Sequence, residues 1–400
     1  MRRNDFPILQ EKIRGKTLIY LDNAASTQKP YSVIEAEQYY YEHQYSNIHR
    51  GVHHLSQVGT TRYEEVRDKV MHYIHARHRE EVIFTKGTTD SINTIAYTFG
   101  RRYLKPNDEI LITGMEHHSN IVPWQIVASQ YGAIVTHVPL QKDGSLLLED
   151  FEDKITSNTK IVACTWVSNA LGTINPMKNI IEIAHKKGVP ILVDAAQAVQ
   201  HFTIDVQDLD CDFLVFSGHK MYGPTGTGIL YGKKHLLDEL PPFEGGGDMI
   251  KEVTLTGTTY NDLPFKFEAG TPNIAGVIGL GAAIDYIIEV GLNNISEHES
   301  ALLAYFQQKI SDVDKIIIFA PNQPKAGALS FLLGSAHPYD VGVLLDNQGI
   351  AIRTGHHCTQ PIMDFYNIPG TCRASFALYN TFEEIDFFIE ALQKVAKMLQ

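Results

Sequence analysis

Between residues 80 and 218 the chain repeats one pattern. A short, almost unbroken apolar run is followed by a loop and then by apolar residues at helical spacing. EEVIFT (80–85), DEILIT (108–113), KIVACTWV (160–167), VPILVD (189–194) and DFLVFSG (212–218) are the strand-like runs. NIIEIAHKKG, after the third of them, has helical spacing and a glycine stop. Strands lacking polar alternation are covered on both faces, so the pattern predicts an α/β fold on a mainly parallel sheet. In such sheets ligands collect at the carboxyl ends of the strands. A Gly-, Pro- and Thr-rich stretch (241–273) ends the alternation, and a long helical pattern over about 274–313, short strands and a C-terminal helix follow it. We therefore expect a large domain over 18–290 and a smaller α+β domain made from 1–17 and 291–400.

Bulk composition narrows the function. With 400 residues, 44% of them hydrophobic, the chain can bury a sizeable core. A net charge of −12 argues against nonspecific binding to nucleic acid or anionic membrane, which reward a basic face. No apolar stretch reaches the roughly 20 residues of a bilayer span. The opening MRRNDFPILQEKIRGK lacks the apolar core of a secretory signal. The four cysteines, Cys164, Cys211, Cys358 and Cys372, form no CxxC pair, so reduced thiols and a cytoplasmic location are expected, with no metal site. A zinc cluster from His49, His53 and His54 is disfavoured, because no cysteine or carboxylate completes a tetrahedral set.

The candidate chemistry lies just after the strands. Asp194 closes ILVD, Gln197 follows it, and Ser217, His219 and Lys220 follow LVFSG. Gly87, Thr88 and Thr89 stand between a strand and a helix, where backbone N–H groups favour an anion; a plain N-cap is the alternative. A lysine held at a sheet end deprotonates more easily and can form a Schiff base. A carboxylate at a neighbouring strand end is what pyridoxal phosphate needs opposite its pyridinium nitrogen. Singly, Lys220 reads as a surface lysine and Asp194 as a cap. Together with a phosphate cradle they make a consistent pyridoxal-phosphate site.

The segments TKGTTDSIN, MEHHSNIVPWQ, VDAAQAVQH, SGHKMYGPTGTGILYG, FEAGTPN, RTGHHC and CRASFALYNT occur in this order along the chain. From LIYLDNAAST (18–27) to the C-terminus the sequence resembles the cysteine desulfurases, in particular their SufS-type (group II) branch. The resemblance implies a homodimer of the pyridoxal 5′-phosphate-dependent transferase type I fold. Such an enzyme converts L-cysteine to L-alanine and hands the sulfur on for iron–sulfur cluster assembly. A selenocysteine lyase acting on L-selenocysteine, or an aminotransferase of the same fold, is the alternative.

By the same resemblance Lys220 is the Schiff-base and proton-moving lysine, and Cys358 is the nucleophile that carries the sulfur as a persulfide. Asp194 pairs with the pyridine nitrogen, Gln197 with the phenolic oxygen, and His117 stacks on the ring. Thr89, Ser217 and His219 hold the phosphate, with Thr271 reaching that of the other subunit. Asn169 and Arg373 hold the substrate carboxylate. Arg353 stands near the substrate and the thiol, and His49 and Arg50 line the entrance. His118 carries a weaker claim than His117, and His356 and His357 are tuning candidates only. Three features depart from the family pattern: Ala195 where Gly is usual, Thr359 where Ala is usual, and a short stretch between Pro321 and Ser330. Tyr339, in AHPYDVG, stands where partners of zinc-containing SufU acceptors commonly carry His, which favours a SufE-type acceptor. Glu244 matches a position near the dimer interface.

Overall fold

The computed structural model describes residues 2–399. Seven strands form its main sheet: β1 (Val82–Thr85), β2 (Glu109–Thr113), β3 (Ile134–Val138), β4 (Thr159–Thr165), β5 (Ile191–Asp194), β6 (Phe213–Ser217) and β7 (Gly228–Gly232). Their order is β1-β7-β6-β5-β4-β2-β3. From β6 across to β3 every pair is parallel, while β7 runs antiparallel to both β6 and β1. Residues of β4, β5 and β6 are buried along almost their whole length, as their unbroken apolar runs require. Register aligns the carboxyl ends: Thr165 lies beside Asp194, and Asp194 beside Val215, two residues before Ser217. Polar groups at these ends therefore converge on one edge of the sheet.

A second, antiparallel sheet has the order β8 (Ile316–Ile318), β9 (Ala328–Leu333), β11 (Thr371–Ser375), β10 (Arg353–Gly355). Its own core centres on Phe306, which packs against Phe376 and Phe388 with ring centroids 5.2 Å apart in each pair. Ile19 and Leu21 join this core, and Ile19–Tyr20 pairs in parallel with Ile350–Ala351. Phe6 and Leu9 instead pack in the core of the large sheet, where Phe6 meets Tyr222, Tyr286 and Tyr379. The N-terminal segment thus touches both cores.

The long helical pattern expected over 274–313 is two helices, α1 (Ile274–Val290) and α2 (Leu292–Ser311), bent by 77°. Gly291 sits between them at φ +88°, a conformation that ends the first helix and that a side chain would disfavour. No single helix among the described residues is long and apolar enough to cross a membrane. Beside β1, the fully buried Arg67 makes two hydrogen bonds to Glu268 (2.6 and 2.9 Å) and two to Glu64 (2.9 and 3.1 Å). Glu268 also accepts from the Phe84 N–H at 2.8 Å, so each carboxylate has more than one donor, as burial of charge demands.

Candidate active site

A cavity of about 230 Å³ opens at the carboxyl ends of β4, β5 and β6. It is lined from the large sheet by Thr89, His117, Asn169, Asp194, Gln197, Ser217, His219 and Lys220, and from the second sheet and its loops by Arg353, Cys358 and Arg373. Thirteen of the residues singled out in the sequence, Thr88 and His357 included, thus meet in one place, although they span positions 88 to 373.

Asp194 is buried, and one carboxylate oxygen accepts the Ala196 N–H at 2.9 Å. Burial raises its pKa, opposed by that hydrogen bond and by Lys220. Burial also pushes Lys220 down to about 8, with Asp194 opposing and Arg373 adding to the fall. A lysine so placed reaches its neutral, nucleophilic form far more readily than a solvated one. Burial, and then the nearby Lys220, hold the His117 imidazole down to about 3, so the ring is neutral. Its Nδ1 accepts the Ser119 N–H at 3.1 Å, which leaves the ring proton on Nε2.

At the other end of the cavity a 16-residue helix, Thr88–Tyr103, starts directly after Gly87. The Thr88 N–H and Oγ1 each lie 2.8 Å from Ser217 Oγ, which ties the helix start to the end of β6. Gly87 has φ +148°, and a Cβ on Gly228 would come within 2.3 Å of the Gly87 backbone, so both glycines are required for this close approach. Thr89, Ser217 and His219 surround the first turn. Partial burial, and then the nearby Lys220 and Lys29, hold His219 down to about 4, so it is neutral. Gln197 donates from its amide to the Ala24 carbonyl at 2.6 Å. Ala195 does not adopt a positive φ, which explains why alanine is accommodated there.

Arg373 is fully buried. Its Nη1 donates to the Asn169 carbonyl (2.8 Å) and its Nη2 to Asp22 (3.1 Å), while Nε is buried with no hydrogen-bond partner. An unpaired guanidinium N–H beside a cavity calls for an anionic ligand. Arg353 faces Asp22 from the other side at 3.9 Å and is more exposed. The loop that carries the thiol is held tightly. His357 and Cys358 take successive left-handed conformations, φ +52° and +57°, each costing roughly 1–2 kcal/mol for a residue with a Cβ. The Asn169 amide donates to the His357 carbonyl at 2.7 Å, and the His118 N–H to the Cys358 carbonyl at 2.8 Å. Thr359 is buried, and its hydroxyl donates to the His356 carbonyl at 2.8 Å, which makes it a clasp of the loop. Cys358 is partly exposed, whereas Cys164, Cys211 and Cys372 are buried, and burial raises the pKa of each of those three.

Residues 19–388 match the family described as Aminotransferase class-V. A cysteine desulfurase of Serratia proteamaculans is 52% identical over 398 residues, which are 99% of this chain and 98% of that protein. The chain belongs to the cysteine desulfurases of the class-V aminotransferase family. A solved cysteine desulfurase from Thermococcus onnurineus NA1 superposes with a TM-score of 0.94 at 40% identity, covering 99% of this chain and 98% of that one. The Escherichia coli cysteine desulfurase CsdA, in an S-sulfonic acid form, does so at 0.92 and 38%, covering 100% and 98%. The α/β architecture is thus that of the type I pyridoxal-phosphate enzymes, and pyridoxal 5′-phosphate is the cofactor of this desulfurase. The residues present fit that group. A glycine-lined helix start would suit its phosphate, the buried Asp194 carboxylate would suit the ring nitrogen, and Lys220 is a desolvated amine lining the same cavity.

Two of the expected residues lie elsewhere. His49 and Thr271 line a separate cleft of about 190 Å³ with Lys86 and Glu244. His49 Nε2 is 3.0 Å from Glu64, within the Arg67 network. Sequence reasoning missed Asp22 and Glu116, and gave His118 only a weaker claim than His117. Asp22 stands between Arg353 and Arg373, and His118 touches the thiol loop. Glu116, beside His117, is fully buried and accepts from Thr113 (2.6 Å), Asn120 (2.7 Å) and the Thr165 N–H (2.9 Å). Burial raises it to about 8, and this carboxyl fastens the turn after β2 to the end of β4.

Proposed function

We propose that this protein takes sulfur from L-cysteine onto Cys358, releases L-alanine, and passes the sulfur to a SufE-type acceptor for iron–sulfur cluster assembly, as SufS-type desulfurases do. The observation that carries the reading is that a partly exposed thiol, an amine of lowered pKa and a buried arginine with a free N–H line one cavity. Bound pyridoxal phosphate supplies an electron sink that weakens bonds to the substrate's α-carbon and makes its sulfur attackable. Thr89, Ser217 and His219 would hold the phosphate, Asp194 the ring nitrogen, Gln197 the phenolic oxygen, and His117 the ring face. Arg373 and Asn169 would hold the substrate carboxylate, with Arg353 at its outer side. Lys220, once its amine is free, moves protons at the substrate carbons. Cys358 attacks the substrate sulfur as thiolate. A sulfur–sulfur bond forms, the carbon–sulfur bond breaks, and its electron pair stays with the carbon fragment, which takes up a proton and leaves as alanine.

Arg373 yields a direct prediction. Arg373→Lys keeps the charge but loses the planar fork, and the KM for L-cysteine should rise about tenfold with a smaller change in kcat. Steady-state kinetics with alanine as the readout checks this. An unchanged KM would remove the carboxylate role.

The cleft holding His49, Thr271 and Glu244 supports a homodimer in which each subunit completes its neighbour's site, with Thr271 reaching the neighbour's phosphate. We place the division between the large and small domains near the bend at Gly291. The reading as a whole is tested by incubating the protein with L-cysteine and a SufE-type protein. Alanine should form one-for-one with sulfur transferred, and faster than without the acceptor. Turnover confined to L-selenocysteine would favour the lyase instead, and no stimulation by the acceptor would remove that partner.

A further inference from the structure

We infer that His118 is a positioning residue that latches the Cys358 loop in its attacking conformation, an inference that rests on Cys358 being the sulfur acceptor. His118 touches the segment just after the thiol at two points. Its backbone N–H donates to the Cys358 carbonyl at 2.8 Å, and its Nε2 accepts the Gln360 N–H at 3.1 Å. Accepting at Nε2 requires the neutral ring with its proton on Nδ1, the opposite tautomer from that of His117. Adjacent histidines thus serve two different parts of one site: His117 lines the cavity, and His118 binds the loop that carries the nucleophile.

The loop needs such a partner. Two successive left-handed residues with side chains persist only where surrounding contacts over-determine them. Asn169 supplies one contact, at the His357 carbonyl. His118 supplies two more, at the Cys358 carbonyl and at the N–H of Gln360, the first residue of the helix that follows, and the imidazole arm is the one a substitution removes while leaving the backbone bond. A looser loop shifts the sulfur from the line of attack, to which the reaction rate is steeply sensitive.

The test compares His118→Ala and His118→Gln with the wild type, each as the full chain loaded with pyridoxal phosphate. Glutamine carries an amide oxygen able to replace Nε2 as acceptor. Three quantities are read: kcat and KM for L-cysteine, the visible absorbance of the bound cofactor, and the rate of Cys358 alkylation by iodoacetamide without substrate, followed by peptide mass. For His118→Ala we expect kcat about tenfold lower, KM within about twofold, unchanged absorbance, and alkylation about threefold faster because the loop opens more often. His118→Gln should return kcat and the alkylation rate to near wild type. Wild-type kcat and alkylation in His118→Ala would overturn the latch. So would equal losses in both variants, or a shifted absorbance with raised KM, which would place His118 on the cofactor. Alkylation uses no substrate, so it tests the latch separately from the role of Cys358. That role fails on its own if Cys358→Ser keeps full turnover.

Discussion

Cys358→Ser is expected to lower sulfur transfer from L-cysteine by roughly 10³-fold or more, because the proposed attacking group is lost outright rather than misplaced. A serine hydroxyl is nearly the size of the thiol but stays protonated near neutral pH, and it cannot accept a transferable sulfur as cysteine does. The change should leave the fold and cofactor loading intact. The loop is held through the His357 and Cys358 carbonyls and the Thr359 hydroxyl, none of which the substitution touches. The check is twofold: the visible absorbance of bound cofactor should match the wild type, and acceptor-coupled alanine production should be lost. A variant that loses cofactor as well would point to a structural role for the thiol. One that keeps full turnover would return the aminotransferase alternative, which needs no thiol.

Lys220→Ala should be at least as damaging, with a loss of about 10⁴-fold or more, since on the proposed reading one side chain both anchors the cofactor and carries protons. Borohydride reduction followed by mass spectrometry should fix the cofactor to the wild-type chain and not to the variant. Substrate-free spectra should still show cofactor retained noncovalently, because the Gly87–Thr89 helix start, Ser217 and Asp194 are untouched. The two variants separate the functions of the site. Lys220→Ala should abolish turnover before the sulfur becomes attackable, and Cys358→Ser after it.

The apolar runs located the central strands to within about two residues, because strands buried on both faces leave an unmistakable unbroken pattern. β3 did not stand out, since it edges the sheet and mixes Thr136 and His137 with apolar residues. β7 was obscured by the glycines around it, which serve the close approach to Gly87. The break between α1 and α2 was hidden because one glycine in an apolar helical pattern looks tolerable until its φ is known. At the site, the lysine, the carboxylate and the cysteine could be singled out because they follow strand-like runs or stand in family motifs, although none was decisive by residue type alone. Asp22 was not, and His118 was named only with a weaker claim than His117. Asp22 matters through an arginine 351 positions away, and His118 through a backbone N–H 242 positions away. Nothing in the letters HHC announces two successive left-handed residues either, since positive φ is uncommon for any residue with a Cβ.

The account turns on where the sulfur goes. The most direct measurement is mass spectrometry of the purified, cofactor-loaded protein after brief exposure to L-cysteine without an acceptor. One extra sulfur atom should be found on the peptide that contains Cys358, absent from the Lys220→Ala protein and removed by a thiol reductant. The same added mass on Cys164, Cys211 or Cys372, or alanine formed with Cys358 unmodified throughout, would contradict it.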